Sequence, residues 1–206
     1  MNVDLLLASE AEFLSQYPGG FESEEMKTIG KKHRLDKMTD LVKEVFAKEK
    51  FMFPEQIVED MTKVISKSSL VSLFEKPKFR DYARSLAPER KALLAQGLYE
   101  QLYGNKGLGF NMMLDVLIDG KLAKWSLMTI IPVYFDLQGE IFVKPTTTKN
   151  VIRVFGLEDV VYKPRPTYEF YVAYKAHILE MKSMVSPLCG PNNPAFTGFL
   201  MMVMDV

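Results

Sequence analysis

The chain has 206 residues and a mass of 23.6 kDa, with 48% hydrophobic and 25% charged side chains. That composition suits one large domain or two small ones and excludes a disordered or fibrous chain. Twenty-six Lys and Arg balance 26 Asp and Glu, so no global attraction to nucleic acid or anionic lipid exists and only local patches can supply one.

Apolar residues at Val3, Leu6, Leu7 and Leu14, with acids between them, predict a helix from Val3 to Ser15, stopped at Tyr17-Pro18-Gly19-Gly20. A second helical stretch begins at Ser23, with Glu24 and Glu25 in its first turn and Lys48 and Lys50 towards its end, before Phe51. Its apolar face changes midway. Met26 and Ile29 fall on a different side from Leu35, Met38, Val42, Val45 and Phe46, which predicts a bend or break at Gly30. Pro54 suits a first helical position, and Ile57, Met61, Val64 and Ile65 follow at core-facing spacing. Leu70, Val71, Leu73 and Phe74 form another short apolar stripe, and Phe79, Tyr82 and Leu86 a further one after Pro77. Pro88 opens a helix whose Leu94, Leu98 and Leu102 stack at four-residue steps and which Gly104 closes; Gly107 to Ile118 continues as helix up to Asp119-Gly120.

Beyond Lys124 the texture changes. Trp125 to Phe135 is apolar with Pro132 inside it, and is read as a buried helix kinked there. Ile141-Phe142-Val143 and Val160-Val161-Tyr162 are β-branched or aromatic and bounded by Pro145 and Pro164, which predicts two short strands that pair. Between them Thr146-Thr147-Thr148 would cap a helix that runs to Phe155 and closes at Gly156. The last predicted helix spans Tyr168 to about Val185 and buries Phe170, Tyr174, Ile178, Met181 and Val185 on one face. The expected fold class is therefore mainly α (α+β): one multi-helix globular domain over 1–206, with a small late β element and two lobes meeting near residue 120.

The short leucine run after Asp4 has no basic stretch before it, so no secretory leader is predicted. The longest uncharged runs are too short to span a bilayer or are broken by prolines. These features predict a cytoplasmic protein with no membrane partner. The single cysteine, Cys189, closes no disulfide within the chain. His33 and His177 lie far apart and no Cys-x-x-Cys occurs, so no zinc site is predicted and no metal-binding residue is singled out, although carboxylate-bound magnesium stays open on this argument. Gly107-Leu108-Gly109 follows no strand and continues no dinucleotide fingerprint, and no cofactor is predicted.

Lys124-Trp125 with Thr129 and Pro132, Phe142-Val143-Lys144-Pro145 with Thr148-Lys149, and Tyr162-Lys163-Pro164 with Pro166 resemble a set of uncharacterised bacterial proteins. Phe74-Glu75-Lys76, Arg80-Asp81 and Gly97-Leu98-Tyr99 are similar to the same set, so the likeness covers most of the stretch from Leu70 to Pro166. That family has no assigned activity, and the resemblance implies no functional residue.

From Ile141 to Leu157 there are three bases, Lys144, Lys149 and Arg153, and no acid, with Lys163 and Arg165 just beyond. Free N–H groups in the turn around Thr147 and Thr148, with these bases, would suit a phosphate or carboxylate. The leading expectation is thus a non-catalytic binding protein for an anionic ligand or nucleic acid. On duplex DNA each neutralised phosphate would add about 0.9 to the salt slope, so so small a patch predicts weak, salt-sensitive binding. Whether the chain is an enzyme stays open. His177 and Glu180 stand three apart on one helix and could act as base and acid of a hydrolase in a cleft between lobes; Cys189 with His177 is a weaker nucleophile and base pairing. The same spacing serves structure on many helices. Lys31-Lys32-His33-Arg34 with Lys37 is basic but flanked by Glu24, Glu25, Asp36 and Asp40, and reads as a solvated helix face. Met201, Met202 and Met204 gather beside Phe196, Phe199 and Leu200. They would fill the chain's own core or, in an assembly subunit, bury an oligomer contact.

Overall fold

Side-chain caps and prolines set many of the helix starts. The computed structural model describes residues 1–204; positions 205 and 206, which end the expected domain and the C-terminal tail, lie outside the described residues. Helix α1 (Val3–Gln16) starts at Asn2, whose side chain accepts from the Leu5 amide at 3.0 Å. Helix α2 (Glu24–Gly30) starts at Ser23 in the same way. The predicted break follows. After α2 comes one 3-10 turn, Lys31–His33, and then Arg34, whose φ of 49° opens α3 (Leu35–Val45). The left-handed residue is thus Arg34, while Gly30 itself is right-handed helical.

Prolines without a backbone donor occupy the first turns of α4 (Pro54–Lys67) and, after α5 (Glu75–Ser85), of α6 (Pro88–Tyr103). The apolar stripe at 70–74 is a connection rather than a helix, with Leu73 and Phe74 exposed. Asn105 caps α7 (Lys106–Asp119) through the Leu108 amide. Helices α6 and α7 pack against one another more extensively than any other pair, and glycines permit it. A Cβ on Gly109 would lie 2.4 Å from the Gly97 carbonyl oxygen and 2.5 Å from the Gln101 nitrogen. The Gly-x-Gly pair is therefore a packing device: Gly107 faces the Tyr168 ring and Gly109 faces α6.

Helix α8 (Trp125–Phe135) is buried from Trp125 to Tyr134 and holds Pro132 inside it. Helix α9 (Pro145–Val154) closes through Gly156 at φ 63°, with the Leu157 amide reaching back to the Ile152 carbonyl at 3.0 Å. Helix α10 (Tyr168–Ser183) is capped by Thr167. One further helix, α11 (Asn193–Val203), is capped by Asn192.

The expected β element is corrected: the described residues contain no strand. The segment at 141–143 is irregular because side chains take its backbone donors. The Ile141 amide donates to the Tyr171 hydroxyl at 3.3 Å and the Val143 amide to Thr129 Oγ1 at 3.1 Å. Asn193 Nδ2 donates to the carbonyls of Gln138 and Glu140 beside it. At 160–162, Val161 points into solvent at 70% exposure. With those groups committed elsewhere, no ladder forms between the two stretches.

One apolar cluster draws on side chains from Leu6 to Met204. Its main polar intrusion is Glu140, 4% exposed, which accepts from Lys106, from Lys175 Nζ at 3.1 Å and from the Tyr171 hydroxyl. A buried carboxylate needs such partners to stay charged. Burial and the Glu140 charge together hold the Tyr171 phenol far above its ordinary range. Among the described residues no helix is long and apolar enough to cross a membrane.

Candidate functional site

The bases expected to surround Thr147 do not face one place. Helix α9 starts at Pro145, with Lys144 rather than a threonine in the cap position and no side-chain cap. Proline contributes no N–H to that first turn. Thr147 and Thr148 are 5% and 1% exposed and sit on the core side, Thr148 beside Tyr174. Lys149 Nζ lies over the Tyr162 ring, 5.9 Å from its centre. Arg153 lines a shallow depression of about 430 Å³ together with Glu158, Val161 and Tyr162. Lys163 is exposed, its carbonyl tied to the Trp125 indole N–H at 2.8 Å, and Arg165 is exposed two residues on.

Lys144 instead joins a different group. It stands at a cleft of about 1000 Å³ whose walls come from α2 and the turn after it, the start of α3, the Ser69–Leu70 loop and α11. Lys31, Lys32, His33, Arg34 and Lys37 line the same cleft, and Asp36 is its one carboxylate. The break after Gly30 makes this possible. A single straight helix would spread residues 31–37 around its circumference, whereas the 3-10 turn and left-handed Arg34 gather them at a corner. Among the described residues Lys31, Lys32, Arg34, Lys37 and Lys144 make no ion pair. The first turn of α3 carries no side-chain cap, so its dipole adds positive potential at that corner.

His33 reports the crowding. Its Nδ1 lies 2.9 Å from Ser69 Oγ, and its pKa is pushed below the ordinary 6.5 by burial and then by the charges of Lys32 and Lys144. Lys144, far away in sequence, is therefore electrostatically part of the corner.

Elsewhere the cleft is mostly apolar, with Lys27, Ser69, Asn192 and Thr197 as the polar members of its lining. Phe21, Met26, Ile29, Leu70 and Phe142 line it, and α11 contributes Ala195, Gly198, Met201 and Met202. Phe196, Phe199 and Leu200 face the other way and are wholly buried in the chain's own core. The methionine cluster thus divides between core and cleft. None of this was legible locally, because the four contributing segments each look ordinary in isolation.

His177 is placed differently from the expectation. Its Nε2 lies 2.8 Å from Asp159 Oδ1, while Nδ1 is 3.8 Å from Glu180 Oε2, beyond hydrogen-bond distance, and is buried without a partner. Asp159, which the i, i+3 spacing could not reveal, is its real partner and is held below the usual carboxylate range by that bond. His177 lines neither of the two cavities described. Cys189 is fully buried, and burial together with Glu10 pushes its thiol up to about 11, which suits an inert side chain rather than a nucleophile. No family model, no curated protein and no solved structure matches this chain.

Proposed function

We propose that the chain is a non-catalytic binding protein that holds an anionic ligand in the cleft between the 31–37 corner and α11. One observation carries this reading: unpaired cations from residues 31–37 and Lys144, distant in sequence, converge on a concave site with a single carboxylate. Structural lysines are spread over a surface to keep it soluble; these gather around a hollow of the size that small-molecule sites have. A nucleic acid would be tracked by cations spaced along a strand with aromatic platforms between them. The cations here cluster at one corner, and apart from His33 the only aromatic rings among the lining residues are Phe21 and Phe142, the rest of the apolar lining being aliphatic or methionine.

The test is titration with 8-anilinonaphthalene-1-sulfonate, an anion that fluoresces in apolar surroundings. Lys32→Glu with Lys144→Glu should weaken its binding roughly tenfold or more. Lys149→Glu with Arg153→Glu should leave it unchanged, since those side chains lie away from the cleft. Equal binding by the wild type and the first pair would overturn the proposal. Greater loss from the second pair would move the site to α9.

A further inference from the structure

The lining of the cleft has two unlike parts. One is the basic corner of Lys31, Lys32, His33, Arg34, Lys37 and Lys144, with Asp36 among them. The other is Phe21, Met26 and Ile29 from the α2 side and Ala195, Met201 and Met202 from α11, none of which carries charge, with Asn192 and Thr197 as its polar members. Lys27, the remaining cation of the lining, pairs with Glu24 at 3.2 Å. Ile29 of α2 and Met201 of α11 are 44% and 45% exposed, apolar surface that an occupant of the cleft would remove from water. Two glycines keep the space between them open. A Cβ on Gly30 would touch nothing within 4 Å, and one on Gly198 would meet only the Phe21 ring, at 3.5 Å.

We infer that this cleft takes a long-chain fatty carboxylate, with its head at the Lys32 and Lys144 corner and its acyl chain between α2 and α11. The inference rests on the anion-binding reading and specifies its ligand. A basic corner beside an uncharged, mostly apolar lining matches a molecule with one anionic head and an apolar body. An acidic amphipathic helix, about 10–12 Å across, would carry its charges along its whole length and want cations spaced to match. The walls also favour a flexible chain over a rigid ring, because Met26, Met201 and Met202 offer an adaptable surface.

The experiment displaces the anilinonaphthalene sulfonate from the full chain with octanoate, decanoate, dodecanoate, tetradecanoate and hexadecanoate, each below its micelle concentration. Affinity should rise roughly tenfold per two added methylenes until the walls are covered. Lys32→Glu with Lys144→Glu should weaken every length by a similar factor. Gly198→Leu, which fills the apolar part, should flatten the dependence on length while octanoate affinity holds; Gly30→Leu makes the same test should the first variant fail to fold. If the dye depends on Lys32 and Lys144 yet octanoate and hexadecanoate displace it equally, the acyl inference falls and anion binding stands. If the dye ignores both lysines, both fall. Tighter displacement by an acidic amphipathic peptide or an oligonucleotide than by any carboxylate would overturn the ligand class.

Discussion

A methyl group placed on Gly109, in the seam between α6 and α7, would lie 2.4 Å from a backbone oxygen, whereas one on Gly198, on the cleft side of α11, would find only the edge of the Phe21 ring at 3.5 Å. The same residue type serves opposite ends in the two places. In the seam, glycine removes the last obstacle to backbone contact; in the cleft, it leaves room unfilled. A chain that packs two helices so closely elsewhere could have closed this gap with a single larger side chain. The void at α11 therefore marks where packing stops and the proposed site begins.

The largest expected effect is in the seam. Gly109→Ala must push α6 and α7 apart, because the obstructing atoms are backbone, and should cost about 3 kcal/mol in urea unfolding. Gly198→Ala should instead gain about 0.5–1 kcal/mol, since alanine is the better helix former and meets only an ordinary contact. Equal losses at the two sites would erase the contrast. The smallest effect is a pH slope from the basic corner. His33 binds its proton less readily when folded, so its contribution to stability is complete above pH 6.5 and falls as the pH drops below that value towards the folded pKa. His33→Gln should flatten that limb of the stability profile, read by urea midpoints between pH 4 and 7.5, and an unaltered limb would show that Lys32 and Lys144 do not press upon the ring.

Much of the helical framework was legible because its punctuation is local. Pro54, Pro88, Gly104 and Gly156 each act within a turn, and the predicted boundaries there lie close to those observed. The paired strands at 141–143 and 160–162 failed for a reason no window of sequence contains: hydroxyls from Thr129 and Tyr171, on other helices, take the donors a ladder would need. Helix α11 was not among the predicted elements, since Pro187, Pro191, Asn192, Asn193 and Pro194 interrupt the uncharged run that leads into it. In fact Asn192 caps the helix and Pro194 stands in its first turn. The site was less legible than the fold. Lys144 was singled out, but as part of a patch around the start of α9, whose cap position it holds, rather than as a member of the cleft; and the 31–37 cluster was read as solvated because alternating charge looks the same on a flat face and at the mouth of a hollow.

Asn193 ties α11 to the rest of the molecule, donating to the Gln138 and Glu140 carbonyls and accepting from Lys182 Nζ at 3.0 Å. Its polar anchors thus come from the α8–α9 connection and from α10, while Phe199 packs on Phe13 of α1 with ring centres 5.1 Å apart. During synthesis the basic corner emerges early and stays a bare cationic surface. Only when the carboxy-terminal helix docks does it acquire an oily counterpart, and a nascent chain halted before residue 193 would present charge without shelter.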